Sequence, residues 1–126
     1  MKVLFVCGFG RDRSATAAVM YQGIGGVEAR WGGINEAAVV PVGREAFAWA
    51  DVVVYFEALH RRKAQRRFGE TIDKGKRRCV LGIANRYRAR AMGLQLMIAA
   101  KMDQVAELRT MTPRLLEDSE DRGAGG

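Results

Sequence analysis

Lys2-Val3-Leu4-Phe5-Val6-Cys7-Gly8-Phe9-Gly10-Arg11-Asp12-Arg13-Ser14, the stretch at residues 2–14, decides the fold. Its first five residues form a short apolar run that is typical of a buried strand. Gly8 and Gly10 mark a turn after this strand, and a helix rich in small residues is predicted over 13–22. A loop that joins a buried strand to a helix is a common position for ligand binding in α/β proteins.

Short apolar runs and helical stretches alternate along the remaining chain. Further strands are predicted over 27–31, 51–55 and 77–83, and helices over 44–49 and 57–68. A last helix carries an apolar stripe between Leu94 and Leu108. This alternation predicts an α/β fold, a doubly wound four-stranded parallel sheet with helices on both faces.

The length and composition indicate one globular domain. The chain has 126 residues, of which 48% are hydrophobic and 28% charged, and this profile excludes a disordered or collagen-like protein. We expect the domain to span 1–112 and the acidic, then Gly-rich residues 113–126 to form a disordered tail. No apolar run approaches the roughly 18 residues of a membrane helix, so no membrane partner is expected.

The two cysteines, Cys7 and Cys79, cannot form the disulfide framework of a small secreted domain. A reducing cytoplasm is therefore the expected location. Cys79 follows two arginines inside a predicted strand and has no neighbouring cysteine, so we interpret it as a structural residue.

The positive charge is concentrated in one block of the sequence. The formal net charge is +7, and residues 61–90 hold 12 Lys and Arg against two acidic residues, a net charge of +10. A basic block this dense predicts an anionic partner, either a phosphorylated ligand or nucleic acid. The alternative interpretation is a solvated basic helix that binds nothing.

The residues between Cys7 and Ser14 have the chemistry of a phosphate-binding loop. Gly8 and Gly10 permit a left-handed backbone, and the N–H groups at a helix start converge on an anion. Arg13 offers a planar guanidinium that can bind two phosphate oxygens. A thiol at Cys7 among these donors would ionise readily and act as a nucleophile. Ser14 is placed to donate a hydrogen bond to that thiolate or to cap the helix.

The spacing Cys-x5-Arg-Ser after an N-terminal apolar strand resembles the low-molecular-weight protein tyrosine phosphatase family, in its short bacterial branch of predicted phosphatases. Weaker similarity continues to about residue 100, for example in Val80-Leu81-Gly82-Ile83 with Tyr87. The resemblance implies a cysteine-dependent phosphomonoesterase, without metal or other cofactor, in which Cys7 attacks phosphorus and forms a thiophosphate. It also implies which residues hold the phosphate oxygens, namely Gly8, Phe9, Gly10, Arg11, Asp12 and Arg13.

The general acid of that family, an Asp in an Asp-Pro loop after the fourth strand, is missing. The chain contains no Asp-Pro, and the family's acidic positions fall on Gly82, Asn85, Arg86 and Ala91. The loss of a general acid costs about 10²–10⁴ in rate for a poor leaving group. Asp12 is the nearest replacement as a catalytic acid, although we expect it to face solvent or to pair with Arg11 or an arginine of residues 86–90.

Several other residues are candidates for the substrate mouth. Trp31 follows the second strand, Phe9 can supply an aromatic wall, and the segment Arg86-Tyr87-Arg88 lies near the expected acid loop. Tyr87 can stack on a phenyl ring or pack against the last helix, and both interpretations stay open. The single histidine, His60, has no companion metal ligand and is interpreted as a surface residue.

Two functions follow from these observations. The first is a phosphatase that acts on phosphotyrosine or another phosphomonoester, and the complete set of Cys7, Arg13 and Ser14 favours it. The second is a catalytically weak relative that binds a phosphorylated ligand, or less favourably nucleic acid, and the missing Asp-Pro favours this one. The oligomeric state has no signature in the sequence.

Overall fold

The computed structural model describes residues 1–109 and 111–118, which form one parallel sheet with helices on both faces. The strands are β1 (Lys2–Cys7), β2 (Glu28–Gly33), β3 (Val52–Tyr55) and β4 (Arg77–Val80). The helices are α1 (Arg13–Tyr21), α2 (Arg44–Trp49), α3 (Ala58–Phe68) and α4 (Met92–Lys101). The strand order is β2-β1-β3-β4, all parallel, so the predicted fold class is confirmed.

Successive residues of β1 supply two separate hydrophobic cores, because neighbouring side chains of a strand point to opposite faces. Val3 and Phe5 are fully buried against α1 and α4, and their core includes Met20 and Ile98. The alternate residues of β1 are fully buried on the other face against α2 and α3, where Phe47 lies at the centre. Both faces of the sheet are thus covered, as a doubly wound fold requires.

The largest differences from the predicted strand boundaries are at the ends of β2 and β4. The strand predicted over 27–31 continues to Gly33, and Gly32 and Gly33 pair with Val6 and Cys7 of β1. The predicted strand 77–83 ends at Val80, because Gly82 adopts a left-handed backbone (φ +73°) that turns the chain out of the ladder. Residues 81 and 83 nevertheless donate hydrogen bonds to carbonyl groups of residues 55 and 56, beside β3.

The last helical region is also shorter than expected. α4 ends at Lys101, and two single 3₁₀ turns, Met102–Gln104 and Ala106–Leu108, carry the rest of the apolar stripe. α3, with 11 residues, is the longest helix in the described part of the chain. None of the described helices combines the length and the apolar character needed to span a membrane.

The first part of the expected tail lies along the domain. Arg114 donates from its backbone N–H to Met20 O and from its side chain to Val19 O, at 3.1 and 2.7 Å. The Gln95 side chain, which is fully buried, exchanges two hydrogen bonds with the backbone of Leu116. This arrangement differs from the disorder expected for 113–118, since the buried amide needs those backbone partners. The remaining tail, 119–126, lies outside the described residues.

Candidate active site

The loop between β1 and α1 lies at the point where the sheet topology changes direction. β1 has β2 on one side and β3 on the other, and crevices at such a point commonly bind ligands. Residues 34–39 run beside this loop and donate hydrogen bonds to it. The backbone N–H groups of Ile34, Asn35 and Val39 donate to the carbonyl groups of Cys7, Gly8 and Phe9, at 2.9, 3.0 and 2.8 Å. Three backbone hydrogen bonds thus connect the loop with residues 34–39.

Two glycines make this close packing possible. Gly10 has φ +69°, and a Cβ atom there would lie 2.6 Å from the carbonyl oxygen of Val40 and 2.7 Å from the nitrogen of Gly33. A Cβ atom on Gly33 would lie 2.4 Å from the carbonyl carbon of Phe9. No larger residue fits at either position without a shift of the backbone. A glycine at position 33 therefore lets β2 run close beside the loop.

The Cys7 thiol lies at the bottom of the loop and is 2% exposed. Its Sγ atom is 3.0 Å from the hydroxyl oxygen of Ser14, which is fully buried, and 3.3 Å from the backbone nitrogen of Gly10, whose N–H points at the sulfur. The Gly10 N–H donates to the sulfur, and either atom of the Cys7–Ser14 pair can act as the donor of their hydrogen bond. The structure thus brings together the predicted nucleophile and its predicted hydroxyl donor.

Arg13 is 4% exposed, and one of its guanidinium nitrogens makes two hydrogen bonds. Its Nη1 atom donates to the Glu57 carboxylate at 2.7 Å and to the carbonyl oxygen of Ile83 at 2.8 Å. The hydrogen bond from Arg13 lowers the pKa of Glu57 below its usual range. Within the described part of the chain, Nε and Nη2 of Arg13 make no hydrogen bond, and Arg13 lines the same depression as Cys7.

His60 is buried beside this pair, and its interpretation as a surface residue was wrong. It is 3% exposed, its Nδ1 atom accepts the backbone N–H of Glu57 at 3.0 Å, and its backbone N–H is bonded to the Glu57 side chain. Burial, and then the charge of Arg13, lowers the pKa of His60 to about 4. The imidazole is therefore neutral at pH 7 and positions Glu57, which in turn holds Arg13. The spacing of Glu57 and His60, three residues apart at a helix start, is the sequence signal for this contact.

A shallow depression opens over the thiol. Its lining consists of Cys7, Phe9, Arg11, Asp12, Arg13 and Asn85. Asp12 provides the single carboxylate among these residues, and it pairs with Arg11 at 3.5 Å, one of the expected arrangements. Phe9 is 46% exposed and forms an aromatic edge of the depression.

Asn85 was not among the predicted site residues. One signal in the sequence pointed to it: Asn85 falls on one of the family's acidic positions when Leu81-Gly82-Ile83 and Tyr87 are aligned with the family. An amide of nearly the shape of Asp thus lines the depression and carries no carboxyl proton.

The other predicted mouth residues lie elsewhere. Trp31 is in β2 and lines a separate depression together with residues 40–43. Tyr87 is partly buried against the core that contains α4, and its ring lies 3.1 Å from the Cβ position of Gly93, in accord with the packing interpretation. Arg86 and Arg88 are exposed in the loop before α4 and do not line the Cys7 depression.

The basic block does not act as one surface. Arg61 and Arg78 bind the buried carboxylate of Asp73, at 3.1 and 3.2 Å, and the Tyr55 hydroxyl donates to it at 2.8 Å. Burial raises the pKa of Asp73, but the hydrogen bonds from Arg61, Tyr55 and Arg78 outweigh this effect and lower it. Lys76 donates to Ala50 O at 2.6 Å, at the end of the sheet opposite to the Cys7 loop. Only part of the positive charge therefore lies near the loop.

The sheet order and the loop after β1 define the fold of the low-molecular-weight phosphatases. Solved structures with this fold include the YwlE arginine phosphatase from Geobacillus stearothermophilus, which is 20% identical, with 85% of this chain and 94% of that chain covered and a TM-score of 0.58. A YwlE arginine phosphatase mutant with a phosphorylated active-site serine is 15% identical (87% and 97% covered, TM-score 0.61). A YwlE mutant from Bacillus subtilis is 18% identical (86% and 93% covered, TM-score 0.53). No protein-family model and no curated protein matches the sequence.

Proposed function

We propose that this protein is a cytoplasmic, cysteine-dependent phosphatase that acts on phosphomonoesters of the phosphotyrosine type. The observation that carries the proposal is the Cys7 sulfur, which lies 3.0 Å from the Ser14 hydroxyl at the bottom of a loop bordered by Arg13. The likeness to solved phosphatases of the same fold supports it.

The reaction has two steps. In the first step the Cys7 thiolate attacks phosphorus, so that an S–P bond forms while the bond from phosphorus to the leaving oxygen breaks. Arg13, through Nε and Nη2, and the backbone N–H groups of residues 8–13 bind the three equatorial oxygens and the charge that develops on them. In the second step water attacks phosphorus, the S–P bond breaks, and inorganic phosphate leaves with the thiolate restored.

Proton delivery to the leaving oxygen is the weak point of this site. Asn85 lines the depression without an acidic proton, so the proton comes from Asp12 or from water. The Asp12 carboxylate is paired with Arg11, which limits its freedom to reach a substrate. We therefore expect slow turnover with a tyrosine leaving group. An Asp12→Asn variant that retains its rate on a phosphotyrosine peptide would leave water as the donor.

The mouth of the depression favours phosphotyrosine over phosphoarginine. Phe9 presents an exposed ring on which a phenyl group can pack. Arg11, whose side chain is 66% exposed, places a guanidinium at the same mouth, and it would repel the guanidinium of a phosphoarginine substrate.

The second candidate is a protein that binds a phosphorylated ligand without turnover, and the neutral amide of Asn85 in the depression favours it. A nucleic-acid ligand is a version of this candidate. It requires binding that weakens steeply with salt and that survives the loss of Cys7.

The two candidates differ in their behaviour toward p-nitrophenyl phosphate, whose leaving group needs little acid assistance. We expect hydrolysis by the wild type, none by Cys7→Ser, and the wild-type rate for Cys79→Ser, because Cys79 lies in β4 outside the depression. If wild type and Cys7→Ser are equally inert but both bind inorganic phosphate, the binding protein is the correct assignment.

A further inference from the structure

A second basic feature adjoins the phosphate loop. A groove of about 350 Å³ lies between α3 and residues 34–36, outside the depression that contains Cys7. Its lining consists of Ile34, Asn35, Glu36, Lys63, Arg66 and Arg67. Three cations thus face one carboxylate, and we name this feature the α3 groove.

Two of the three cations of the α3 groove donate hydrogen bonds to neutral partners. Lys63 Nζ donates to the side-chain oxygen of Asn35 at 2.7 Å, and Arg67 Nη1 donates to the carbonyl oxygen of Ile34 at 3.1 Å. Arg66 is exposed and makes no hydrogen bond or ion pair within the described residues. Within the described residues none of the three side chains contacts a carboxylate, whereas Arg61 and Arg78 share the carboxylate of Asp73.

Asn35 connects the groove with the phosphate loop. Its backbone N–H donates to the carbonyl oxygen of Gly8 at 3.0 Å, and its side-chain nitrogen lies 3.2 Å from the Cβ position of Gly8. The same side chain accepts the hydrogen bond from Lys63. One residue thus separates the cations of the groove from the loop that surrounds Cys7, so a bound polypeptide can contact both.

We propose that the α3 groove binds acidic side chains that flank the phosphorylated residue of a polypeptide substrate. This inference rests on the proposed phosphatase function, since it names the substrates that the Cys7 site selects. Separate carboxylates can contact Lys63, Arg66 and Arg67 and avoid Glu36. A nucleic-acid backbone fits less well, because Glu36 opposes a continuous row of phosphates and none of the six lining residues offers an aromatic ring for base stacking.

The test compares two fluorescein-labelled phosphotyrosine peptides that differ only in flanking residues, three Glu or three Gln on each side. The readout is the ratio of their kcat/KM values. We expect a ratio of about 10 for the wild type at low salt, and a value near 1 in high salt. Arg66→Gln should lower the ratio about threefold, since one exposed ion pair is lost. Lys74→Gln is the matched control, because Lys74 is an exposed cation of the same basic block outside the groove, and it should keep the wild-type ratio.

Equal kcat/KM for the two peptides, or equal effects of Arg66→Gln and Lys74→Gln, would overturn the inference. A single-stranded oligonucleotide that displaces the Glu peptide and loses its affinity in Arg66→Gln would also overturn it, in favour of nucleic acid. Failure of the proposed phosphatase function is seen separately, as a wild type that does not hydrolyse p-nitrophenyl phosphate. In that case the affinities of the same two peptides for Cys7→Ser, measured by fluorescence anisotropy, test the groove. The affinity ratio of the Glu peptide to the Gln peptide then replaces the kcat/KM ratio.

Discussion

Replacement of Asn85 by Asp places a carboxyl group in the wall of the Cys7 depression with almost no change in side-chain volume. Asn85 is exposed, and in the described part of the chain its side chain has no hydrogen-bond partner that the change would remove. The variant should therefore fold as the wild type does. Its carboxyl group would line the same depression as Cys7, where a leaving oxygen needs a proton.

The size of the expected gain depends on the leaving group. A tyrosine hydroxyl has a pKa of about 10, so its oxygen leaves poorly without a proton, and a positioned general acid contributes about 10²–10⁴ in rate. We expect Asn85→Asp to raise kcat on a phosphotyrosine peptide about 100-fold, which corresponds to about 2.7 kcal/mol of activation free energy. The rate on p-nitrophenyl phosphate should change much less. Since the acid acts in its protonated form, the gain should be larger at acidic than at alkaline pH.

The assay is the steady-state release of phosphate from both substrates by wild type and Asn85→Asp across pH 5 to 8. Ala84→Asp is the matched control, because it adds the same charge at the neighbouring exposed position, which does not line the depression. The reasoning would be refuted if Asn85→Asp left the phosphotyrosine rate unchanged. It would also be refuted if both substrates, or both variants, showed the same gain.

Three further predictions concern the support of the loop. Gly10→Ala should cost more unfolding free energy than Gly23→Ala in urea titrations, and equal costs would contradict the packing argument. Both glycines have positive φ, worth about 1–2 kcal/mol, but only at Gly10 would a Cβ meet backbone atoms at 2.6 and 2.7 Å. Glu57→Gln should lower kcat/KM about tenfold, since it removes the charge that holds Arg13; an unchanged kcat/KM would count against this role. The pKa of His60 is lowered from 6.5 to about 4 in the folded protein. As the pH falls, His60 is therefore protonated in the unfolded chain before it is protonated in the folded one. Stability should therefore be full above pH 6.5 and fall by about 3 kcal/mol toward pH 4, and His60→Gln should remove this part of the pH dependence.

The elements that the sequence predicted well are those with strong local patterns. The strand before Cys7, the loop through Ser14 and the parallel sheet follow from apolar runs and helix signals, and the structure has all of them. The end of the fourth strand was missed because Gly82 turns the chain while the apolar pattern continues to Ile83. Local hydropathy does not report the backbone angle of one glycine.

The sequence interpretation missed several contacts that depend on how the elements pack together. His60 looked like a surface residue on a basic helix, but its position at the start of α3 places it under the phosphate loop. The sequence also did not show that several cations of residues 61–90 bind partners away from the Cys7 loop. Asp73 forms ion pairs with Arg61 of α3 and Arg78 of β4, which the packing of these two elements brings together.

The most direct test of the proposed function is the site of phosphorylation in a reaction stopped by acid during turnover. Wild-type protein mixed with excess p-nitrophenyl phosphate and quenched should carry one phosphoryl group, and peptide mass spectrometry should locate it on Cys7. The adduct should be absent from Cys7→Ala and unchanged in Cys79→Ser. A quenched protein without the adduct that has nevertheless released nitrophenol, or an adduct on any residue other than Cys7, would contradict the account.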